Sequence, residues 1–526
     1  MSAMVQQPGM TSVEAFVQAL RRNGVDWIAT LCGHGLDPLF AAADRVGMRL
    51  IDTRNEQTAS YIAEAYGRLT RRPGVCAVSS GVAHVNALTG VLNAWFDSTP
   101  MLLISGSGAL RTAGLRHFQD VDQVALAQPI TRFARTIEHP ERAVELLESA
   151  LEISVGPPPG PVHLTFPMDV QRISVEAGRM VRFVRTEGSL QLYDPSPIAS
   201  ALRDSSAPLI IAGSALWYAS EGEALMRFSE QFSVPVMVPI WDRGCIGRPI
   251  QTFMGVIGAA TGGPELLYEA DCIVLAGAQN DYRLQFLQPG AIREDARVVT
   301  MDAGWDSLTE VYKKEGGKVH SAWFDKAADR RDRFRQTVAE RGDQQARDGL
   351  HAIHIISALK QVLTDNTVLL IDGGSIGQWA HQMLCDRYPG HWLTCGRSGV
   401  VGWGIGGAMG ARLAFPDKPV ILLSGDGAFT FNAADLECAA RQKLPFVAIV
   451  ADDQGWGITR SGHVTQFGKA ISSGLGPIAF AQLAEALGAK SVTATTPQSI
   501  SAEIERALGT EEVTIIHVPI IGGNPG

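Results

Sequence analysis

No two of the seven cysteines stand in a CxxC pair, and their number is odd. A disulfide framework and a cysteine-based zinc site are disfavoured, and a reducing compartment, the cytoplasm, is the expectation. No apolar run approaches the ~20 residues that a bilayer-spanning helix needs, and residues 1–11 are polar where a signal peptide would be apolar, so no membrane partner is expected. Concentrated basic charge is missing too. The formal net charge is −9 with no long Lys/Arg run, whereas nucleic-acid binding needs a dense cationic field, so no nucleic acid partner is expected. With 46% hydrophobic and only 19% charged residues, the chain lacks a disorder signature and can bury ordinary cores. At roughly 150 residues per domain, its 526 residues make about three domains.

What is present is an alternation of short apolar runs and helical stretches, the pattern of parallel sheets covered by helices. In the first third the runs 75–78, 101–104 and 162–166 alternate with helical stretches such as 60–70. A polar, proline-containing stretch at 186–197 reads as a linker. Runs at 209–211, 273–276 and 298–301 mark a middle third. Residues 327–349, with Arg330, Arg331, Asp332, Arg333 and Arg335, read as a solvated helical connector rather than a binding patch. The last third starts near Leu350. Segments 161–167 and 513–519, near the ends of the outer thirds, echo each other and allow those thirds to share one fold. The expectation is an α/β chain of three domains, 1–185, 195–330 and 350–526, each with a mainly parallel sheet flanked by helices.

Residues 419–457 carry the most chemistry. Residues 420–424 read as a buried strand running into Gly425-Asp426-Gly427-Ala428. Asn432 is placed to cap a helix that reaches about Lys443, with Arg441 near its negative end, and Pro445 stops it. Residues 446–450 form a second strand that ends in Ala451-Asp452-Asp453-Gln454-Gly455. Two parallel strands joined by a crossover present their carboxyl ends on one sheet edge, so Asp426 and Asp453 emerge together where open α/β sheets bind ligands. Two carboxylates and a backbone carbonyl suit an octahedral Mg2+ completed by phosphate oxygens. Gly425 and Gly427 let the backbone approach those oxygens. The alternative for these residues is a Gly-Asp-Gly turn and an acidic loop without a metal.

With these residues the chain resembles the thiamine-diphosphate (ThDP) enzymes of the acetolactate synthase, benzaldehyde lyase and 2-oxo acid decarboxylase family, whose signature is a strand ending in Gly-Asp-Gly, a helix, and a strand ending in an Asn pair. Here Asp452-Asp453 stands in place of that pair. The resemblance implies ThDP and Mg2+, with Asp426, Asp453 and the carbonyl of Gly455 around the metal. The extra charge of Asp453 beside a diphosphate calls for a cation, and Arg397 and Arg460 are the candidates.

The resemblance extends to other residues. Glu56, in Arg54-Asn55-Glu56-Gln57, matches the acid that hydrogen-bonds the cofactor's aminopyrimidine and so promotes loss of the thiazolium C2 proton. Gln119, in Phe118-Gln119-Asp120, matches a residue facing the substrate. His34 occupies a strand-end loop that handles protons, although Gly35 stands where benzaldehyde lyase has its histidine. His84 and His117 read as structural or surface residues. Val401 matches the apolar wedge beneath the cofactor, and the glycines after it read as helix packing rather than a dinucleotide loop. Gly373 and Ser375, in Asp372-Gly373-Gly374-Ser375, match diphosphate contacts.

Residues 277–283 lie where 2-hydroxyacyl-CoA lyases bind nucleotide, so FAD, a nucleotide or neither are the alternatives for the central domain. The implied activity is a lyase or carboligase acting beside a carbonyl on 2-hydroxy ketones, aldehydes or 2-oxo acids. A 2-oxo acid decarboxylase, a 2-hydroxyacyl-CoA lyase and a non-catalytic regulatory subunit are the alternatives. The implied assembly is a homodimer at least, and a homotetramer in many relatives.

Overall fold

The apolar runs become strands because their side chains find cover on both faces, as the sequence pattern requires of a parallel sheet between helices. Every residue of Gly74–Val78, Pro208–Ala212 and Val368–Asp372 is buried. The computed structural model describes residues 10–176, 194–242, 244–258, 263–384 and 392–523. Most of the linker stretch 186–197 and Cys385 lie outside the described residues. Packing divides the chain into two compact units: residues 1–189 with 405–416 and 432–444, and residues 190–404 with 417–431 and 445–526.

The first unit is built on a six-stranded sheet in the order Arg49–Asp52, Trp27–Leu31, Gly74–Val78, Met101–Ser107, Pro161–Pro167, Phe133–Thr136, with every pairing parallel. Helices cover it. Ser12–Arg22 starts at a capping box between Thr11 and Glu14, and Glu56–Thr70 starts at Asn55, whose side chain accepts from the Gln57 amide. Helix Gly404–Ala414 reaches this unit through glycines: a Cβ on Gly406 would meet Tyr61 at 2.8 Å, and one on Gly410 would meet the Ile62 carbonyl at 2.5 Å. The glycine run after Val401 is thus a packing device.

The second unit holds two parallel sheets. The central one has the order Phe253–Ile257, Val236–Pro239, Pro208–Ala212, Cys272–Ala276, Arg297–Thr300. The last one has the order Leu393–Thr394, Val368–Asp372, Val420–Gly425, Val447–Asp452, Thr514–Pro519, Lys490–Thr493. The charged stretch 327–349 falls mostly in the long helix Ser321–Gln345.

One local expectation fails. Asn432 does not cap a helix reaching Lys443. The crossover breaks into Asp426–Thr430 and Asp435–Arg441, Ala434 takes the cap position, and Asn432 is buried. The reason is tertiary: Arg441 is engaged by Asp52 and Glu437, and Lys443 has left the helix with a positive φ of 55°.

Candidate functional site

In the first unit, the three residues singled out by sequence meet on one short segment. Strand Gly74–Val78 ends in Ser79, Ser80 and Gly81, after which helix Val82–Phe96 begins. The Ser79 hydroxyl donates to the His34 carbonyl at 2.7 Å, fixing the loop that exposes the imidazole. The Ser80 hydroxyl donates to Gln119 Oε1 at 2.7 Å, which leaves the amide NH2 to donate elsewhere. Gly81 has φ +59°, and a Cβ there would stand 2.8 Å from that of Gln119, so no larger residue fits. Gln123, buried, accepts from the Gly81 amide at 2.8 Å and donates to the Gly106 carbonyl at 3.0 Å. One turn into the helix, Asn86 Nδ2 donates to Glu56 Oε2 at 3.0 Å. The half-buried Glu56 opens its own helix at the positive end of the dipole, and its charge adds to burial in raising the Cys76 thiol.

His84 lies deeper. Its Nδ1 is 2.7 Å from Ser105 Oγ and its ring is 4.8 Å from that of His163, so it is structural as expected. Burial holds His84 neutral down to about 4. His117 sits by the Phe118 carbonyl and Asp120. A cleft of about 390 Å3 at the amino ends of the strands, lined by Trp27, Tyr66, Arg72 and Glu148, includes none of these residues.

In the second unit, every cofactor residue read from the sequence lines one cleft of about 270 Å3. Gly373 and Ser375 follow strand Val368–Asp372, Gly425 ends the strand beside it and Asp426, Gly427 and Ala428 follow, Asp453 and Gly455 follow the next, and Val401 closes a side. The floor is bare backbone by necessity. A Cβ on Gly373 would lie 2.7 Å from the Gly425 nitrogen, and one on Gly427 would lie 2.8 Å from the Trp456 ring. Helices Gly374–Met383 and Gly457–Phe467 begin at the cleft, so their free N–H groups and positive dipole ends favour an anion there.

The carboxylates are strained electrostatically. Burial, then the charges of Asp453 and Asp452, push Asp426 up to about 7. Burial raises Asp453 as well, while Arg460 opposes it. The Gly455 amide donates to Asp426 Oδ2 at 3.0 Å, tying the two strand ends together. Among the described residues no group of three or more His, Cys, Asp or Glu could hold a metal. A divalent cation at Asp426 and Asp453 would take its remaining oxygens from backbone, water or a bound ligand, and it would relieve the repulsion between them. A phosphate-bearing group with its cation fits this donor set, this cradle and these helix ends.

The two adjacent aspartates divide their tasks. Asp452 Oδ2 is 2.9 Å from His517 Nε2 and belongs to the sheet edge, whereas Asp453 faces the cleft. Arg460 is the compensating cation, donating to the carbonyls of Asp453 at 3.2 Å and Gln454 at 2.6 Å. Arg397 instead bonds Gln279.

Asp372 is fully enclosed and pushed up to about 6 by burial. It accepts from the Gly404 amide at 2.6 Å and the Gly402 amide at 3.4 Å, and so shapes the loop that carries Val401. Sequence reasoning missed the parts played by Asn86, Ser80, Gln123 and Asp372. Each acts through a tertiary hydrogen bond, and only the strand-end position of Asp372 could have signalled it. In residues 277–283 the charged side chains turn inward: Arg283 is buried and pairs with Asp242 at 3.1 Å and Asp281 at 2.8 Å.

Comparison with known proteins finds three successive domains of one family. Residues 10–126 match the N-terminal TPP binding domain of thiamine pyrophosphate enzymes, residues 196–320 their central domain, and residues 372–518 their C-terminal TPP binding domain. The chain is similar to the probable acetolactate synthase of Mycobacterium bovis, 28% identical across 95% of this chain and 94% of that protein. It is 29% identical to 2-hydroxyacyl-CoA lyase 2 of Homo sapiens, across 91% of this chain and 84% of that protein. It is 25% identical to the probable acetolactate synthase large subunit of Methanocaldococcus jannaschii, across 97% and 92%.

Proposed function

The chain belongs to the thiamine-diphosphate-dependent enzymes, as a carbon–carbon lyase or transferase, and we propose that it cleaves or forms the bond beside a carbonyl in 2-hydroxy ketones, aldehydes or 2-oxo acids. The observation that carries this reading is the cleft at Asp426 and Asp453, where a buried and a half-buried carboxylate meet a glycine floor and helix N-termini.

Asp426, Asp453 and the Gly455 carbonyl would hold Mg2+. The backbone at Gly373, Gly425, Gly427 and Ala428, with the Ser375 hydroxyl, would meet the diphosphate. Val401 would support the cofactor's bend. When bound, ThDP supplies the electron sink for the bond that breaks. The protein's own part is orientation and proton handling. Glu56, oriented by Asn86, would take up and release a proton at its carboxylate. His34 moves a proton at its exposed ring, and Gln119 offers its NH2 to a substrate oxygen.

The three domains are assigned to 1–185, 195–330 and 350–526. The exposed Val82, Val85, Leu92 and Phe96 on the helix that bears Asn86 favour a second copy of the chain as cover, hence a homodimer or a tetramer of dimers. The inward turn of Arg283 and Asp281 weighs against a nucleotide held by those two side chains.

Native mass spectrometry is expected to find ThDP and Mg2+ on the purified protein. A 2-oxo acid donor with an acceptor aldehyde is then expected to give a cross-product that is absent without the acceptor. Free aldehyde under both conditions would replace ligation by decarboxylation, and retention on immobilised CoA would favour the acyl-CoA lyase. Absence of carbon–carbon turnover by ThDP-loaded protein across a donor panel would overturn the reading.

A further inference from the structure

The crossover joining the two aspartate-bearing strands does more than connect them. Its residues 432–444 pack in the first unit, where helix Asp435–Arg441 lies against the chain that leads into Glu56. Asp435 is 1% exposed. Its Oδ1 accepts from the Arg54 amide at 2.7 Å and its Oδ2 accepts from the Thr58 hydroxyl at 2.6 Å. Those partners stand two residues before and two residues after Glu56, so one buried carboxylate grips the chain on both sides of the acid.

The surrounding charges are of a different kind. Arg54 reaches Glu437 at 3.0 Å, and Arg441 reaches Glu437 and Asp52 at 2.7 Å each, but these pairs are largely solvated and hold geometry weakly. Asp435 is enclosed, and hydrogen bonds to an enclosed carboxylate are short and directional. Asn55 caps the same helix by accepting from the Gln57 amide at 2.9 Å. Backbone direction at Glu56 is therefore set from both flanks, and Asn86 then fixes the carboxylate itself.

We infer that Asp435 is a positioning residue for Glu56, holding its carboxylate in line for proton transfer to the cofactor's ring. The inference rests on the reading of Glu56 as the proton-handling acid. A catalytic group displaced by about 1 Å loses about 100-fold in rate, so loosening this grip should be felt in proton transfer before it is felt in binding.

The test uses the full chain with ThDP and Mg2+ and reads deuterium exchange at the cofactor's C2 by quenched NMR, which needs no substrate. ThDP affinity, melting temperature and amide exchange of residues 54–58 in the cofactor-free protein are read alongside. Asp435→Asn leaves an amide NH2 facing the Thr58 hydroxyl, which loses its acceptor on that side. Its C2 exchange is expected to slow about tenfold, with ThDP affinity within about threefold of wild type and faster amide exchange at 54–58. Thr58→Val removes one bond only and is expected to slow C2 exchange about threefold, which keeps the test decisive if Asp435→Asn does not fold.

Glu56→Gln serves as the reference and should slow C2 exchange by about 100-fold or more. Wild-type C2 exchange in Asp435→Asn and Thr58→Val beside a slowed Glu56→Gln overturns this inference alone. Reduced affinity or melting temperature with unchanged C2 exchange per bound cofactor does the same, leaving Asp435 a purely structural residue. Wild-type C2 exchange in Glu56→Gln overturns the reading of Glu56 itself.

Discussion

The sheet that contains Trp27–Leu31 and the sheet that contains Val368–Asp372 follow the same route, strand for strand. In each, the first long strand lies second in the order, the next element in sequence forms the edge beside it, and the last two strands exchange places at the far edge. The chemistry at their carboxyl ends differs. Trp27–Leu31 runs into the His34 loop, whereas Val368–Asp372 runs into Gly373. Gly74–Val78 runs into Ser80, which holds Gln119, whereas Val420–Gly425 runs into Asp426. The first sheet presents side chains with hydrogen-bond partners, suited to moving protons. The last presents bare backbone, helix ends and crowded carboxylates, suited to a phosphate with its cation. A parallel sheet dictates where chemistry can sit, and the residues at its strand ends decide which chemistry that is.

The comparison can be broken or sharpened at several points. The largest effect is expected from Gly373→Val. Its side chain would collide with the Gly425 backbone, and ThDP affinity by calorimetry should fall by about 100-fold or more, while the Glu56–Asn86 contact in the other unit is untouched. Unchanged affinity would break the contrast.

A smaller effect of opposite sign is expected from Asp453→Asn, which removes one of the crowded charges. ThDP–Mg2+ affinity at pH 7 should rise about three- to tenfold, and Arg460→Gln should lower it by a similar factor.

The smallest effect separates the units by pH in the cofactor-free protein. His84 takes a proton near 6.5 when unfolded but only near 4 when folded, so stability in the first unit is complete above about 6.5 and lost as pH falls toward 4, by about 3 kcal/mol over the full window. Asp372 has the reverse sign. Its folded value near 6 lies above the unfolded 3.8, so the penalty for its charge is present above about 6 and is relieved as pH falls toward 3.8. Between pH 7 and pH 5, amide protection, after correction for the intrinsic pH dependence of exchange, should therefore fall in the first sheet and rise in the last. Parallel changes in both would contradict these assignments.

Much of this was legible in the sequence, and the reasons are physical. Strand ends followed by glycine and a carboxylate report a ligand edge directly, because connectivity fixes which edge of a parallel sheet they reach. The faint likeness of segments 161–167 and 513–519 was a true sign of repeated topology, for those segments form strands Pro161–Pro167 and Thr514–Pro519 at matching places. What stayed hidden was long-range. Asn86 reaches Glu56 across 30 residues, and Asp435 reaches Thr58 across 377. No local periodicity encodes such partners. The misplaced cap at Asn432 has the same origin, since local propensity favoured one helix and tertiary hydrogen bonds selected two shorter ones.

The division of labour between the two sheets is tested most directly by titrating ThDP in the presence of Mg2+ into wild type, Asp426→Ala and Glu56→Gln. Glu56→Gln is predicted to bind within about threefold of wild type, and Asp426→Ala at least about 100-fold more weakly. Equal binding by all three proteins, or loss of binding in Glu56→Gln with retention in Asp426→Ala, would contradict it.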